Sequence, residues 1–323
     1  MSSLDTGMRR PNYSTTGGDM RLPCTELLVL ALLALVACGD GGGASDSARG
    51  TLPPVFAPAP SNITNWDVDA GPVMLVSTGN GTDSAAVVLP EITDSTIASI
   101  KSRSAPVTGL VFDLFGRGGK VGSSPALTAP GSVDTTQECD AWPVAVVRGN
   151  NAVWRVGFAR GHTQPIQLDS IEAMSSADSA ALAASLAQTA ATLPSTSDPT
   201  FRGLPFRVRS AYTFRLESVE VVIADIVRSV NEEANPRLEH LLIIGEKRAG
   251  TRGSYTVGYY SRTAGAEETT QATEVLAAVR VGSSRRPAIV VNIEYDDGRK
   301  LGLIERTAPG QWRSIWRSAY TDC

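Results

Sequence analysis

Glu232, Glu233, Glu239 and His240 fall within one short stretch, "NEEANPRLEH" (231–240). Clustered carboxylates do acid–base work when burial pushes their pKa values apart, so that one keeps its proton while the other loses it. In a stretch that also carries Asn and Pro, the plainer expectation is a loop whose carboxylates are solvated. A second oxygen-rich stretch, "NWDVDAG", sets Asn65, Asp67 and Asp69 at alternate positions, the spacing by which a loop converges oxygens on a hard cation. Its glycine comes one place late, at Gly71, and Val76 stands where a calcium loop carries its closing glutamate. The stretch therefore reads as the entry turn into the first strand, with no metal site assigned.

The remaining reactive types are sparse. His162 and His240 are the two histidines of the chain, and each reads as an isolated core or surface residue. The glycines of "GRGGKVGSS" (116–124) would let backbone amides approach a phosphate, but Lys120 is followed by Val121 rather than Ser or Thr. A hairpin loop is the expected reading. Gly-x-Ser-x-Gly, His-Glu-x-x-His and Ser-x-x-Lys are all missing from the chain. A Ser-His-Asp triad assembles from distant residues, so spacing is silent about it. Trp312 and Trp316 would share one face of a strand and could stack a sugar ring. Aromatic residues make up only 6% of the chain, so their use in the core is preferred. No catalytic residue and no cofactor is assigned.

Strands must position most of these residues. "GPVMLVS" and "AAVVLP" flank a turn-rich linker at 79–83 and predict a hairpin. "VTGLVFDLF" (107–115) predicts another strand, followed by a Gly/Ser/Pro-rich loop to about Asp134. "WPVAVV" and "AVWRVGFAR" flank Gly149-Asn150-Asn151, a further hairpin signal, with Trp154, Val156 and Phe158 on one face. One helix is expected where Leu182, Leu186, Ala190 and Leu193 recur, capped by Ser176 or Asp178 and stopped by Pro194. A short turn at 169–174 would precede it, with Asp169 and Glu172 as a capping box.

Beyond residue 206 the strands repeat. "VEVVIADIV" (219–227) parallels "TEVLAAVRV" (273–281), and "LEHLLIIGE" parallels "PAIVVNIE". Arg262-Thr263-Ala264 answers Arg306-Thr307-Ala308, "WRSIWRS" closes the second unit, and Asp297-Gly298 marks a hairpin within it. Val219, Val222, Ile223, Ile226, Val227 and Val230 also fit a helical period, but the β-branching of these six favours a strand. The fold class expected is mainly β with one α-helix, built from antiparallel sheet repeats arranged as a propeller or as stacked sheets. Over 215–320 the layout resembles FG-GAP-type propeller blades, without their Asp-x-Asp-x-Asp-Gly calcium loop.

The chain's address lies near its start. Leu27 to Ala37 is an apolar run of eleven residues, about half of what a spanning helix needs. It ends in Leu35-Val36-Ala37-Cys38, which resembles the lipobox of bacterial lipoproteins. That resemblance implies cleavage before Cys38 and acylation of its sulfur and amine. Met20 with Arg21 would give a compact signal peptide, and Met8 with Arg9 and Arg10 is the other start on offer. The Gly/Ser/Pro-rich stretch that follows cannot bury enough surface to order itself, so it reads as a tether. Gly39 rather than Asp follows Cys38, which favours the outer membrane. With Cys24 in the signal and Cys38 lipidated, Cys139 and Cys323 remain in a compartment that permits a disulfide; pairing is expected, two thiols being the alternative.

The boundaries expected are a signal peptide at 1–37, an anchor and linker at 38–61, a β-rich region at 62–168, a helical segment at 169–194 and a β-rich repeat region at 195–323. A net charge of −4, with no Lys/Arg cluster that stands out and Arg285-Arg286 too little on its own, argues against nucleic acid as a partner. The expected partners are membrane lipid through Cys38 and an envelope protein or glycan. The function expected is a lipid-anchored cell-envelope binding or scaffolding module. The alternative is a carboxylate-dependent envelope hydrolase acting on glycans.

Overall fold

The computed structural model describes residues 72–78, 84–88, 110–128, 142, 144–147, 153–194, 198–231, 235–251, 253–282 and 284–321. Cys38, Asn65, Asp67, Asp69, Cys139, Glu232, Glu233 and Cys323 lie outside the described residues. Six short strands come first: β1 (Met74–Ser77), β2 (Ser84–Val88), β3 (Val111–Gly116), β4 (Gly119–Thr128), β5 (Val144–Val147) and β6 (Val156–Ala159). They close into a barrel in the order β1-β2-β5-β4-β3-β6, with β6 returning to β1. Strand alternation divides their side chains. Leu75, Val87, Phe112 and Leu114 fill the interior, while Met74, Val76, Val156 and Phe158 face outward against another layer. Burial on both faces is why these strands read as continuous apolar runs.

The β1–β2 hairpin forms as expected, with Met74 opposite Val88. Three other expectations are corrected here. Residues 119–128 are not loop but β4, which hydrogen-bonds to β3 on one side and β5 on the other. Glycine and serine give this segment little strand preference of its own; closure of the barrel supplies the partners. The expected hairpin over 142–160 does not form, since β5 pairs with β2 and β4, and β6 with β1 and β3. Trp154 precedes β6 and packs in the barrel interior, away from Val156 and Phe158.

The later strands build two sheets. β7 (Thr163–Ile166), β8 (Asp169–Ser170), β9 (Arg207–Leu216), β10 (Val219–Val230), β11 (Arg237–Arg248) and β12 (Thr256–Ala266) are followed by β13 (Ala272–Val281), β14 (Arg286–Glu294), β15 (Arg299–Ala308) and β16 (Gln311–Arg317). The first sheet runs β12-β11-β10-β9-β8 and the second β16-β15-β14-β13-β7, with every pairing antiparallel. The repeat is thus two meanders, β10-β11-β12 and β13-β14-β15, with β16 added to the second. Residues 219–230 are strand throughout.

The sheets stack face to face over Ile223, Leu242 and Ile244 from the first and Ile289, Val291 and Ile304 from the second. On its other face the second sheet packs Val279, Val290 and Leu303 against the barrel. The Asp-Gly hairpin joins β14 to β15, but its tip is Asp296-Asp297, because Tyr295 and Gly298 already pair (2.8 Å). Gly298 is needed for another reason: a Cβ there would collide with the Thr321 carbonyl and the Tyr320 ring.

The helix, α1 (Ser176–Thr192), lies on the outer face of the first sheet. Leu186 and Ala190 pack there on Val222, Ala224 and Leu241. Its cap is Ser175, not Ser176 or Asp178; the Ser175 hydroxyl accepts from the Asp178 amide at 3.2 Å, a contact of a type worth about 1 kcal/mol. The short turn before it, Ile171–Ala173, is capped by Ser170. Asp169 is not the cap because it lies one residue too early: it is the Ser170 hydroxyl that accepts from the Glu172 amide, at 3.3 Å.

Candidate functional site

Alternation along three strands of the first sheet sends Ile223 and Asp225 (β10), His240, Leu242, Ile244 and Glu246 (β11) and Tyr259, Ser261 and Thr263 (β12) toward the second sheet. The middle of this seam is apolar. Its two ends are charged, and they differ.

At one end the Glu246 carboxylate, 6% exposed, accepts from Arg306 Nε and Nη2 at 2.7 and 2.8 Å. It also accepts from Trp312 Nε1 at 2.7 Å and the Gly310 amide at 3.1 Å. Burial pushes this carboxyl up, but the donors from Arg306, Trp312 and Gly310 outweigh burial and hold it below the usual range. Here β12 and β16 approach so closely that a Cβ on Gly258 would lie 2.6 Å from the Gly310 carbonyl oxygen. The seam is clamped.

At the other end Asp225 and His240, each 6% exposed, meet through Oδ1 and Nδ1 at 3.2 Å. They line a cleft of about 60 Å³ between the sheets, room for a few waters at about 10–15 Å³ each. Leu242, Val291 and Ile304 contribute apolar surface to it. Tyr259, Ser261, Thr263, Gln271, Ser314 and Arg317 add polar groups around it. An N–H on Nδ1 would donate to the Asp225 carboxylate, an Asp–His contact of the kind that orients the imidazole in a triad. The Thr263 hydroxyl is committed to the Gln271 carbonyl at 2.9 Å.

The sequence grouped Glu239 with His240, and the structure separates them. They are successive residues of β11 and point to opposite faces. Glu239 is not solvated; it is fully buried on the helix side, held by Arg228 and by Arg262 Nη1 at 2.9 Å. Asp225, the true neighbour of His240, was missed. The signal was an aspartate at a core-facing position of an otherwise apolar strand.

Trp312 and Trp316 do not share a face. A bulge between Ser314 and Trp316 reverses the alternation, so Trp312 lies in the seam, edge-on to Phe214, and Trp316 packs toward the barrel. Lys120 holds Asp113 at 2.8 Å rather than cradling phosphate. Burial pushes Asp113 up, yet its bonds to Lys120, Ser123 and Arg160 hold it below the usual range. His162 sits in the turn between β6 and β7, outside the cleft lining, and burial lowers its pKa. Among the described residues no group of three or more His, Cys, Asp or Glu could hold a metal. No family model matches the chain, and neither a curated protein nor a solved structure matches it.

Proposed function

We propose that this is a lipid-anchored cell-envelope binding protein, and that a hydroxyl-rich ligand such as a glycan docks at the cleft between its two sheets, with only a hydroxyl-sized group entering the space of about 60 Å³. The observation that supports it most is the buried Asp225–His240 pair, placed where the sheets part rather than where they are clamped. Around it, hydroxyls and the Gln271 amide offer both donors and acceptors, which suits a ligand rich in hydroxyl groups. The anchor rests on Leu35-Val36-Ala37-Cys38. Acyl chains on Cys38 would hold the protein at about 0.8 kcal/mol per buried CH₂, with the outer membrane favoured by Gly39.

The hydrolase reading needs two carboxyl groups flanking one bond. Among the described lining residues Asp225 is the one carboxylate, and Glu239 is occupied by two arginines on the opposite face. Binding is therefore preferred. The test is thermal unfolding of the protein with a panel of envelope oligosaccharides. A ligand that raises the midpoint, and no longer does so in Asp225→Asn, supports the cleft. Turnover of an oligosaccharide, lost in the same variant, would establish the hydrolase instead. For the anchor, Cys38→Ser should move the protein from the membrane pellet to the soluble fraction; retention after a salt wash overturns it.

Cys139 and Cys323 are proposed to pair. Trp142 and Thr321, three and two residues away, both meet Arg299. Its guanidinium lies 5.6 Å from the Trp142 ring, and its amide donates to the Thr321 carbonyl at 2.8 Å. Intact mass before and after reduction decides: a gain of two hydrogen atoms on reduction is expected, and no gain excludes the bridge.

A further inference from the structure

We propose a second ligand site on the opposite face of the first sheet, shaped for a monocarboxylate with an apolar tail. A groove of about 440 Å³ opens between the end of α1 and the segment before β9, within the range small-molecule sites occupy. Ala187, Ala191, Leu193 and Phe206 contribute apolar surface; Arg228 and Arg262 contribute charge. The Phe206 ring lies 4.6 Å from the Arg228 guanidinium and 5.7 Å from that of Arg262.

Among the described residues the charges here do not balance. Glu239 is one carboxylate facing two guanidinium groups, whose side chains are 8% and 9% exposed. Arg228 has each of its three nitrogens engaged: Nε and Nη2 hold Glu239, and Nη1 donates to the Phe201 carbonyl at 2.7 Å. Arg262 spends only Nη1 on Glu239. Its Nε and Nη2 are buried without a hydrogen-bond partner among the described residues. These two N–H groups form one edge of the guanidinium and point the same way, the fork that takes both oxygens of a carboxylate. Burying a cation with that edge unused is costly unless an anion completes it.

The protein itself shows what the edge holds. Arg306 stands at the matching position of the second repeat, and its Nε and Nη2 grip both oxygens of Glu246. The bulge at Gly258 shifts β12 by one residue, which turns Arg262 away from the seam and toward the groove. The chain supplies Arg306 with a carboxylate, and a bound one would serve Arg262. The apolar walls beside it select a ligand with a hydrocarbon tail.

The experiment titrates octanoate, octan-1-ol and acetate separately into the full-length protein and follows binding by calorimetry. Octanoate is expected to bind at least tenfold more tightly than either of the others. Arg262→Gln should abolish that preference, and Ala187→Leu, which fills the groove without touching a charge, should weaken octanoate by a similar factor. Asp225→Asn, across the sheet, should leave octanoate binding unchanged. Equal binding of octanol would remove the carboxylate from the proposal, and equal binding of acetate would remove the tail. Octanoate binding unaltered in both Arg262→Gln and Ala187→Leu overturns the site.

Discussion

The two ends of the inter-sheet seam carry the same kind of residue, a buried carboxylate, in opposite circumstances. Glu246 accepts four hydrogen bonds, three of them from the facing sheet's side chains and one from its backbone. Among the described residues Asp225 has one close partner, His240 of its own sheet, with Arg209 at 3.8 Å. The first carboxylate joins two layers; the second lines a space between them. A buried charge with every lone pair engaged fixes geometry, whereas one that is less completely engaged leaves capacity for something else.

The largest effect should come from breaking the clamp. Glu246→Ala leaves Arg306 and the indole N–H of Trp312 without their acceptor, and removal of one partner of a buried pair costs about 3–5 kcal/mol. Denaturant unfolding measures it, and a loss under about 1 kcal/mol would mean the seam is held by its apolar middle alone. The acid limb sharpens the comparison. Because the folded pKa of Glu246 is depressed, its stabilisation is present above the ordinary value of 4.5 and is lost as pH falls through the folded pKa. Glu246→Gln should flatten stability against pH below 4.5.

At the open end, Asp225→Asn keeps the shape and a hydrogen-bond acceptor for His240. The expected cost is about 1 kcal/mol, so loss of ligand response without loss of fold is the outcome that separates the two ends. A cost as large as that of Glu246→Ala would make the pair a second clamp. The smallest effect belongs to Arg286, which is 52% exposed and holds Glu305 at 3.3 Å on the surface. Arg286→Ala should change stability by under about 1 kcal/mol.

Much of the architecture was legible: residues 219–230 read as strand from their β-branched side chains although they also fit a helical period, the two meanders from repeated motifs, and the helix from Leu182, Leu186 and Ala190 at helical spacing. What escaped depends on single residues that shift a register. The bulge beside Ile315 sends Trp316 away from Trp312, and the bulge at Gly258 turns Arg262 outward. The bulge at Ile315 leaves no mark in composition, and the one at Gly258 leaves only a strand glycine, because an extra residue changes which face is which without changing what the residues are. Strand β4 was hidden for a different reason, since its pairing comes from β3 and β5 and not from its own glycines and serines. Glu239 and His240 looked like neighbours because sequence distance says nothing about which side of a sheet a residue takes.

Only Gln167 and Leu168 separate β7, an edge strand of the second sheet, from β8, an edge strand of the first. Trimming the chain at this point to isolate the helix and repeats would strip β13 of its outer neighbour. Its unpaired amides and carbonyls near Ala278–Val281 would become a template for another strand. A fragment cut there is expected to assemble with itself through that edge, whereas one that keeps residues 163–166 retains its natural cover.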